Sequence, residues 1–158
     1  MSGNSTRRDA EKNIALNRKA RFEYHLEEFF EAGISLAGSE VKSIRAGNAS
    51  LQDSFARTEG TEIWLYNMHI NPWDKGSHFN PEAKRKRRLL MKRMEIRRLI
   101  GKVNEKGYSL IPTRLYFKGR WVKVELALAR GKKLFDKREA LKEKESRREV
   151  ERELRARG

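Results

Sequence analysis

The feature that most constrains this chain is the run from Trp121 to Ala129, where Val122, Val124, Leu126 and Leu128 alternate with Lys123 and Glu125. It leads through Arg130, Gly131, Lys132 and Lys133 into a charged arm that ends at Gly158. A period of two over nine residues is the pattern of a strand with one buried face. The arm has no such face. From Lys132 onward, 11 Lys or Arg stand against seven Asp or Glu, and the large apolar residues are Leu134, Phe135, Leu141, Val150 and Leu154, too few for a core. The sequence thus predicts a folded body followed by a basic tail that is disordered when free and orders against a partner. With a formal net charge of +15, that partner is expected to be a polyanion.

With the arm set aside, roughly 130 residues remain, which suits one domain with a modest core. The predicted division is a flexible leader over residues 1–17, a body over 18–130 and a tail over 131–158. No cysteine is present, so disulfides and thiolate metal sites are excluded and a reducing cytoplasm fits. No stretch reaches signal-peptide or membrane-span length, so a soluble protein that contacts no membrane is expected.

Within the body, alternation of Phe22, Tyr24 and Leu26 with polar neighbours predicts a strand over 21–30, and a bend at Glu31–Gly33 before Ile34 and Leu36 makes this two strands or one bent strand. Residues 38–45 read as a short helix: Ser39 is a candidate cap, Glu40 lies in the first turn, and Gly47 stops it. Val41 and Ile44 would pin that helix to the body and leave Lys42 and Arg45 outside. A hairpin is expected around Glu59 and Gly60, followed by an irregular loop over 71–83. The clearest hairpin joins residues 108–117 to 122–128 through Lys118, Gly119 and Arg120. Pro112 argues that its strand lies at an edge or starts late. About six strands, mostly antiparallel, with one short and one longer helix make a small OB-like closed antiparallel barrel the economical architecture, although composition alone does not separate it from a sandwich.

The segment from Lys84 to Lys106 holds 11 Lys or Arg against Glu95 and Glu105. It reads as the longer helix: at 100° per residue, Leu89, Ile96, Leu99, Ile100 and Val103 share one sector. Leu90, Met91 and Met94 fall outside it, among Arg87, Arg97 and Arg98. Two readings stand for these apolar residues: packing against a neighbouring loop, or an RNA-contact surface where apolar groups meet sugars and bases while guanidiniums bind phosphates.

Catalysis has little support in the sequence. His25, His69 and His78 fall in a strand, a strand exit and a loop, without metal-ligand spacing, and Gly131 and Lys132 lack the rest of a phosphate-binding loop. Neither an enzyme nor a cofactor or metal site is expected. A general single-strand RNA binder and a scaffold for acidic proteins remain as alternatives to a specific RNA partner.

Six motifs in order carry a resemblance: Gly38 to Gly47, Asp53 with Ser54, His69 to Pro72, Arg87 to Leu90, Leu126 to Lys133, and Asp136 to Glu139. Together they resemble the SsrA-binding small protein B family over nearly the whole chain, from about Ile14 to Arg157. The resemblance implies an OB-type barrel that grips the tRNA-like domain of tmRNA. It also implies a tail that becomes helical in the empty mRNA channel of a stalled ribosome, against small-subunit rRNA and the decoding centre. Elongation factor Tu would accompany tmRNA, the protein would be a monomer, and no cofactor is implied. By the same resemblance Glu31, Leu90 and Lys92 stand at tmRNA-contact positions; Lys42 and Arg45, on the outer side of the short helix, are expected to help position the RNA. Gly131, Lys132, Lys133, Phe135, Asp136, Lys137, Arg138 and Glu139 take the ribosome-facing positions. Lys92 stands where members often have Asn or His. Phe135 stands where some carry a stacking histidine, and it keeps the aromatic face.

Overall fold

Alternating strands around a shared apolar interior organise the body. The computed structural model describes residues 11–73, 80–132 and 134–157, without the side chains of 106, 134–140 and 157. In chain order the elements are β1 (Glu11–Leu16), α1 (Arg18–Glu23), β2 (Tyr24–Ile34), α2 (Gly38–Arg45), β3 (Ala49–Ser50), β4 (Phe55–Glu59), β5 (Glu62–Tyr66) and β6 (His69–Ile70). They continue with β7 (Arg87–Leu90), α3 (Arg93–Lys106), β8 (Ser109–Lys118), β9 (Trp121–Gly131) and α4 (Leu134–Arg157). The main sheet runs β1-β8-β4-β5-β7-β2-β9, and β9 also pairs with β8, so the sheet closes on itself. Every pairing is antiparallel. The expected OB-like closed antiparallel barrel is what forms. Closure pairs β9 on both sides and leaves β1, which pairs with β8 alone, at an edge.

Inward positions of the strands supply the core. Ile63, Leu65, Leu115, Val124 and Leu126 are fully buried, and Leu99 reaches them from α3. Each such side chain contributes about 1.5–3 kcal/mol relative to exposure. The β8–β9 hairpin has the predicted partners, with Lys118 opposite Trp121 and Phe117 opposite Val122. Its turn depends on Gly119, whose φ of +60° is strained for a side-chain-bearing residue. The β4–β5 hairpin around Glu59 and Gly60 likewise forms, with Glu59 opposite Glu62.

Several expectations are corrected. The leader predicted through residue 17 ends earlier, because Glu11–Leu16 pair with β8 as strand β1. Ile14 and Ala15 pack against the core, and β8 offers the strand its hydrogen bonds. Residues 21–23 end helix α1 rather than begin a strand, and β2 runs through Glu31–Gly33 without the expected bend because β9 pairs with it through Lys123. The first turn of α2 is capped at Ala37 instead of Ser39; the Ala37 N–H donates to Glu40 Oε1 at 2.9 Å.

The predicted helix over 84–106 divides in two. Residues 87–90 are strand β7, which bridges β5 and β2 and closes the barrel: Leu89 pairs with Ile63 and Leu90 with Gly33. Leu89 fits both the helical and the strand period, so local pattern did not separate them. The helix begins at Arg93 and ends before Gly107. Pro112 is also not at an edge. β8 pairs with β4 at Leu110, with β1 from Arg114 onward and with β9 along its length, and its register shifts between Pro112 and Arg114. Neither β4 nor β1 pairs with β8 at Pro112, so on that side the missing N–H costs no ladder bond, and the Asn17 side chain donates to the Pro112 carbonyl at 2.9 Å.

The tail, expected to lack structure when free, is the 24-residue helix α4. It contains no Gly or Pro, and Glu143 meets Arg147 one turn on at 3.8 Å. Such pairs add about 0.2–0.5 kcal/mol each. Its side chains from Leu141 to Ala156 are all exposed, so that stretch lacks the packed face that stabilises most helices in proteins.

Candidate nucleic-acid interface

Strand register brings the resemblance-derived contact residues to one outer face of the barrel. Gly33 on β2 lies opposite Leu90 on β7 and opposite Lys123 on β9. Glu31 is two residues earlier on β2 and therefore shares that face. Glu31, Gly33, Leu90, Met91, Lys92 and Lys123 border an open concavity of about 540 Å³, with Glu95 at its rim. Gly33 makes the close approach possible: a Cβ there would sit 3.3 Å from Leu90 Cβ. Leu90 is 46% exposed, although Leu89 beside it is buried. Strand alternation, not a helical stripe, turns Leu90 outward. Met94 at 82% exposure also points to solvent, so among the described residues neither packs under a loop.

A polar ladder across β1, β8, β9 and β2 fixes Glu31. Tyr116 donates its hydroxyl to Glu31 Oε2 at 2.5 Å, and Lys118 Nζ lies 3.3 Å from both carboxylate oxygens. Partial burial alone would raise the Glu31 pKa, but the Tyr116 and Lys118 hydrogen bonds outweigh it and hold the carboxyl below its usual range. Burial and the bond to Glu31 push the Tyr116 phenol up. Arg114 lies over the Tyr116 ring at 3.9 Å, donates to Glu125 Oε2 at 2.8 Å and pairs with Glu11 at 3.0 Å. The result is an ionised carboxylate held in place beside an exposed leucine and lysines. That combination can accept from base or ribose donors, cover a sugar or base, and attract phosphates.

The other predicted residues separate. Lys42 and Arg45 are exposed on α2, as expected, but Arg45 borders a different concavity, with Lys12, Phe117, Gly119 and Arg120. Gly131 ends β9 opposite Tyr24. Lys132 holds the root of the tail to α1: its N–H donates to the Glu23 carbonyl at 2.9 Å, and its Nζ donates to the Arg21 carbonyl at 3.1 Å. These contacts satisfy carbonyls at the end of a helix, where a cation is favoured. Lys133 lies outside the described residues. Phe135, Asp136, Lys137, Arg138 and Glu139 fall in the first turns of α4, with side chains outside the description.

Arg87 is not part of a basic face. It is fully buried, and its Nη2 lies 2.6 Å from Glu40 Oε2, while Nη1 and Nη2 donate to the carbonyls of Met68 and Ala83 at 2.6 and 3.0 Å. Arg85 adds a 2.5 Å bond to Glu40 Oε1. Burial would raise the Glu40 pKa, yet bonds from Arg85, the Ala37 N–H and Arg87 hold it low. Two members of the basic run thus tie α2 to the strand that closes the barrel. The expected acidic first turn of α2 pointed to Glu40, but nothing local distinguished Arg87 from Arg88.

Lys123 is the residue bordering this concavity that sequence reasoning missed. Its signal was the polar face of β9, shared with Glu125. Of the histidines, His25 is exposed on β2, His69 Nε2 meets Asn71 Oδ1 at 2.6 Å, and His78 lies outside the described residues. Among the described residues no three His, Asp or Glu side chains cluster to hold a metal. No described helix is long and apolar enough to cross a membrane.

A closed OB-like barrel with an exposed leucine, an ordered carboxylate and cations on one outer face has the make-up of an RNA-binding barrel protein. The family model described as SmpB protein matches residues 14–156, and the chain belongs to that family. It is 58% identical over 147 residues to the SsrA-binding protein of Carboxydothermus hydrogenoformans, covering 93% of this chain and 99% of the relative. The SsrA-binding protein of Pelotomaculum thermopropionicum is 57% identical over 148 residues, covering 94% and 97% of the two chains. A solved chain from a study of tmRNA-SmpB and the bacterial ribosome aligns with a TM-score of 0.64 at 49% identity, covering 80% of this chain and 92% of that one.

Proposed function

We propose that this protein binds the tRNA-like domain of tmRNA and brings it to stalled ribosomes for trans-translation. The barrel grips the RNA, and the tail enters the empty mRNA channel and meets the decoding centre. The protein performs no catalysis of its own, acts as a cytoplasmic monomer, and binds tmRNA together with elongation factor Tu. The observation that carries this reading is the convergence of Glu31, of Leu90 with Lys92, and of Lys123, from three places in the sequence, on one outer face. Charge alone would explain affinity for any RNA. A built face with a fixed carboxylate and an exposed leucine supports recognition of a folded one.

Division of labour follows. Lys132, Lys133 and residues Phe135 to Glu139 act on the ribosome, where the Phe135 ring can stack and Lys137 and Arg138 can meet rRNA phosphate. The test is a salt-series titration against the tRNA-like domain, with ordinary tRNA and unstructured RNA as controls. The full chain should prefer the tRNA-like domain as salt rises, and Leu90→Asp should weaken that binding by about tenfold or more, by placing an anion against phosphate. Replacing Asp136, Lys137 and Arg138 with Ala should leave the affinity intact and stop peptide tagging on stalled ribosomes. Equal affinity for all three RNAs would point instead to a general RNA-binding protein.

A further inference from the structure

The tip of the β8–β9 hairpin carries groups that the Glu31 face does not use. Trp121 opens β9 and is 60% exposed, with the Arg120 guanidinium carbon 5.2 Å from the ring centroid. On the other flank of the tip, Lys12, Arg45, Phe117, Gly119 and Arg120 border an open concavity of about 300 Å³. Among the described residues its three cations come from β1, α2 and the hairpin turn, and no carboxylate borders it. Lys12 and Arg45 form no ion pair among the described residues. The contrast with the rest of the barrel is clear. Arg114 is drawn to Glu11 and Glu125, Arg130 to Glu27, and Lys86 to Glu59. Like charges gathered without a counter-charge oppose folding and create a local positive potential, which a bound anion relieves.

We propose that the hairpin tip is a second RNA subsite, in which an unpaired base stacks on Trp121 and the neighbouring phosphates enter the Lys12–Arg45–Arg120 concavity. This rests on the tmRNA reading above and extends it to named residues outside the Glu31 face. Three features select RNA as the occupant. An indole flanked by a guanidinium offers a flat face that accepts a base of any sequence. Three cations around one concavity match phosphates on either side of that base. The tip is also continuous with the first face, because Trp121 lies two residues before Lys123 on the same side of β9, a step of roughly 7 Å. Arg120, which touches Trp121 and borders the concavity, joins the two halves.

The test uses the full chain and the tRNA-like domain of tmRNA in a salt-series titration, with folding of each variant checked by circular dichroism and thermal melting. Trp121→Leu keeps an apolar group in the strand but removes the stacking ring, and should weaken binding by about tenfold, whereas Trp121→Phe should stay near wild type. The double variant Lys12→Gln with Arg45→Gln should reduce the slope of log K against log salt by roughly 1.5, the release expected from two phosphate contacts. If Leu90→Asp loses binding while the Trp121 and double variants match wild type in both affinity and slope, the hairpin subsite is overturned and the first face stands. If wild type shows no preference for the tRNA-like domain and Leu90→Asp changes nothing, the subsite falls together with the reading it rests on.

Discussion

The barrel and the tail helix are both rich in charge, yet they use it in opposite ways. In the barrel, ionic partners are distant in sequence: Arg87 with Glu40, Arg114 with Glu11, Arg130 with Glu27. Each such contact ties together two elements and helps set one geometry. In α4, the contact between Glu143 and Arg147 is local, and Leu141, Val150 and Leu154 are exposed. Local pairs can favour a helix but cannot hold it against anything. A preformed face belongs to the first arrangement, and a helix held by its own local contacts belongs to the second.

The sharpest way to break this contrast is at Glu40. Glu40→Gln should destabilise the barrel by about 3–5 kcal/mol, because it leaves the buried Arg87 without its counter-charge; urea unfolding would measure it. The same carboxylate makes stability depend on pH. Its folded pKa lies below the ordinary value, so the unfolded state binds the proton more readily. The stabilisation is present in full above about pH 4.3 and is lost as pH falls through the lower folded value. The acid limb of the wild-type stability curve should therefore be steeper than that of Glu40→Gln. A matching acid limb in both would mean that the buried pair does not hold the barrel.

Removing the tail after Lys132 tests the other side. Because residues 141–156 of α4 are exposed, the truncated chain should keep its unfolding free energy within about 0.5 kcal/mol, the range of surface changes. A larger loss would show that α4 braces the barrel through α1. Smallest of all, Glu143→Gln should lower tail helicity by an amount worth about 0.2–0.5 kcal/mol at low salt and by less at high salt. It is best read by circular dichroism on the difference between full and truncated chains. If tail helicity melts together with the barrel, the two regions form one cooperative unit and the contrast fails.

Much of the barrel was legible because its strands carry one apolar face. Val122, Val124, Leu126 and Leu128 announced β9, and the turn at Lys118–Arg120 announced its partner. The segment 84–106 was legible only from Arg93 onward. In Arg87–Leu90 the alternation is carried by two arginines of opposite fate, so charge concealed the strand. Leu90 was singled out as an apolar residue among bases, and its outward position is real, but strand geometry produces it. Glu31 and Lys92 came from resemblance to a family. Their proximity to each other and to Lys123 could not be read locally, because it depends on which strands become neighbours when the barrel closes.

By itself the sequence determined the alternating strands, the glycine turn, the basic excess and the coreless tail, since each depends on residues close along the chain. Only the tertiary structure decided which cations are spent inside and which face outward. Arg87 and Arg88 are chemically identical neighbours, and burial against Glu40 separates them. Burying a charge requires a partner in the right place, and that place exists only after distant segments have met.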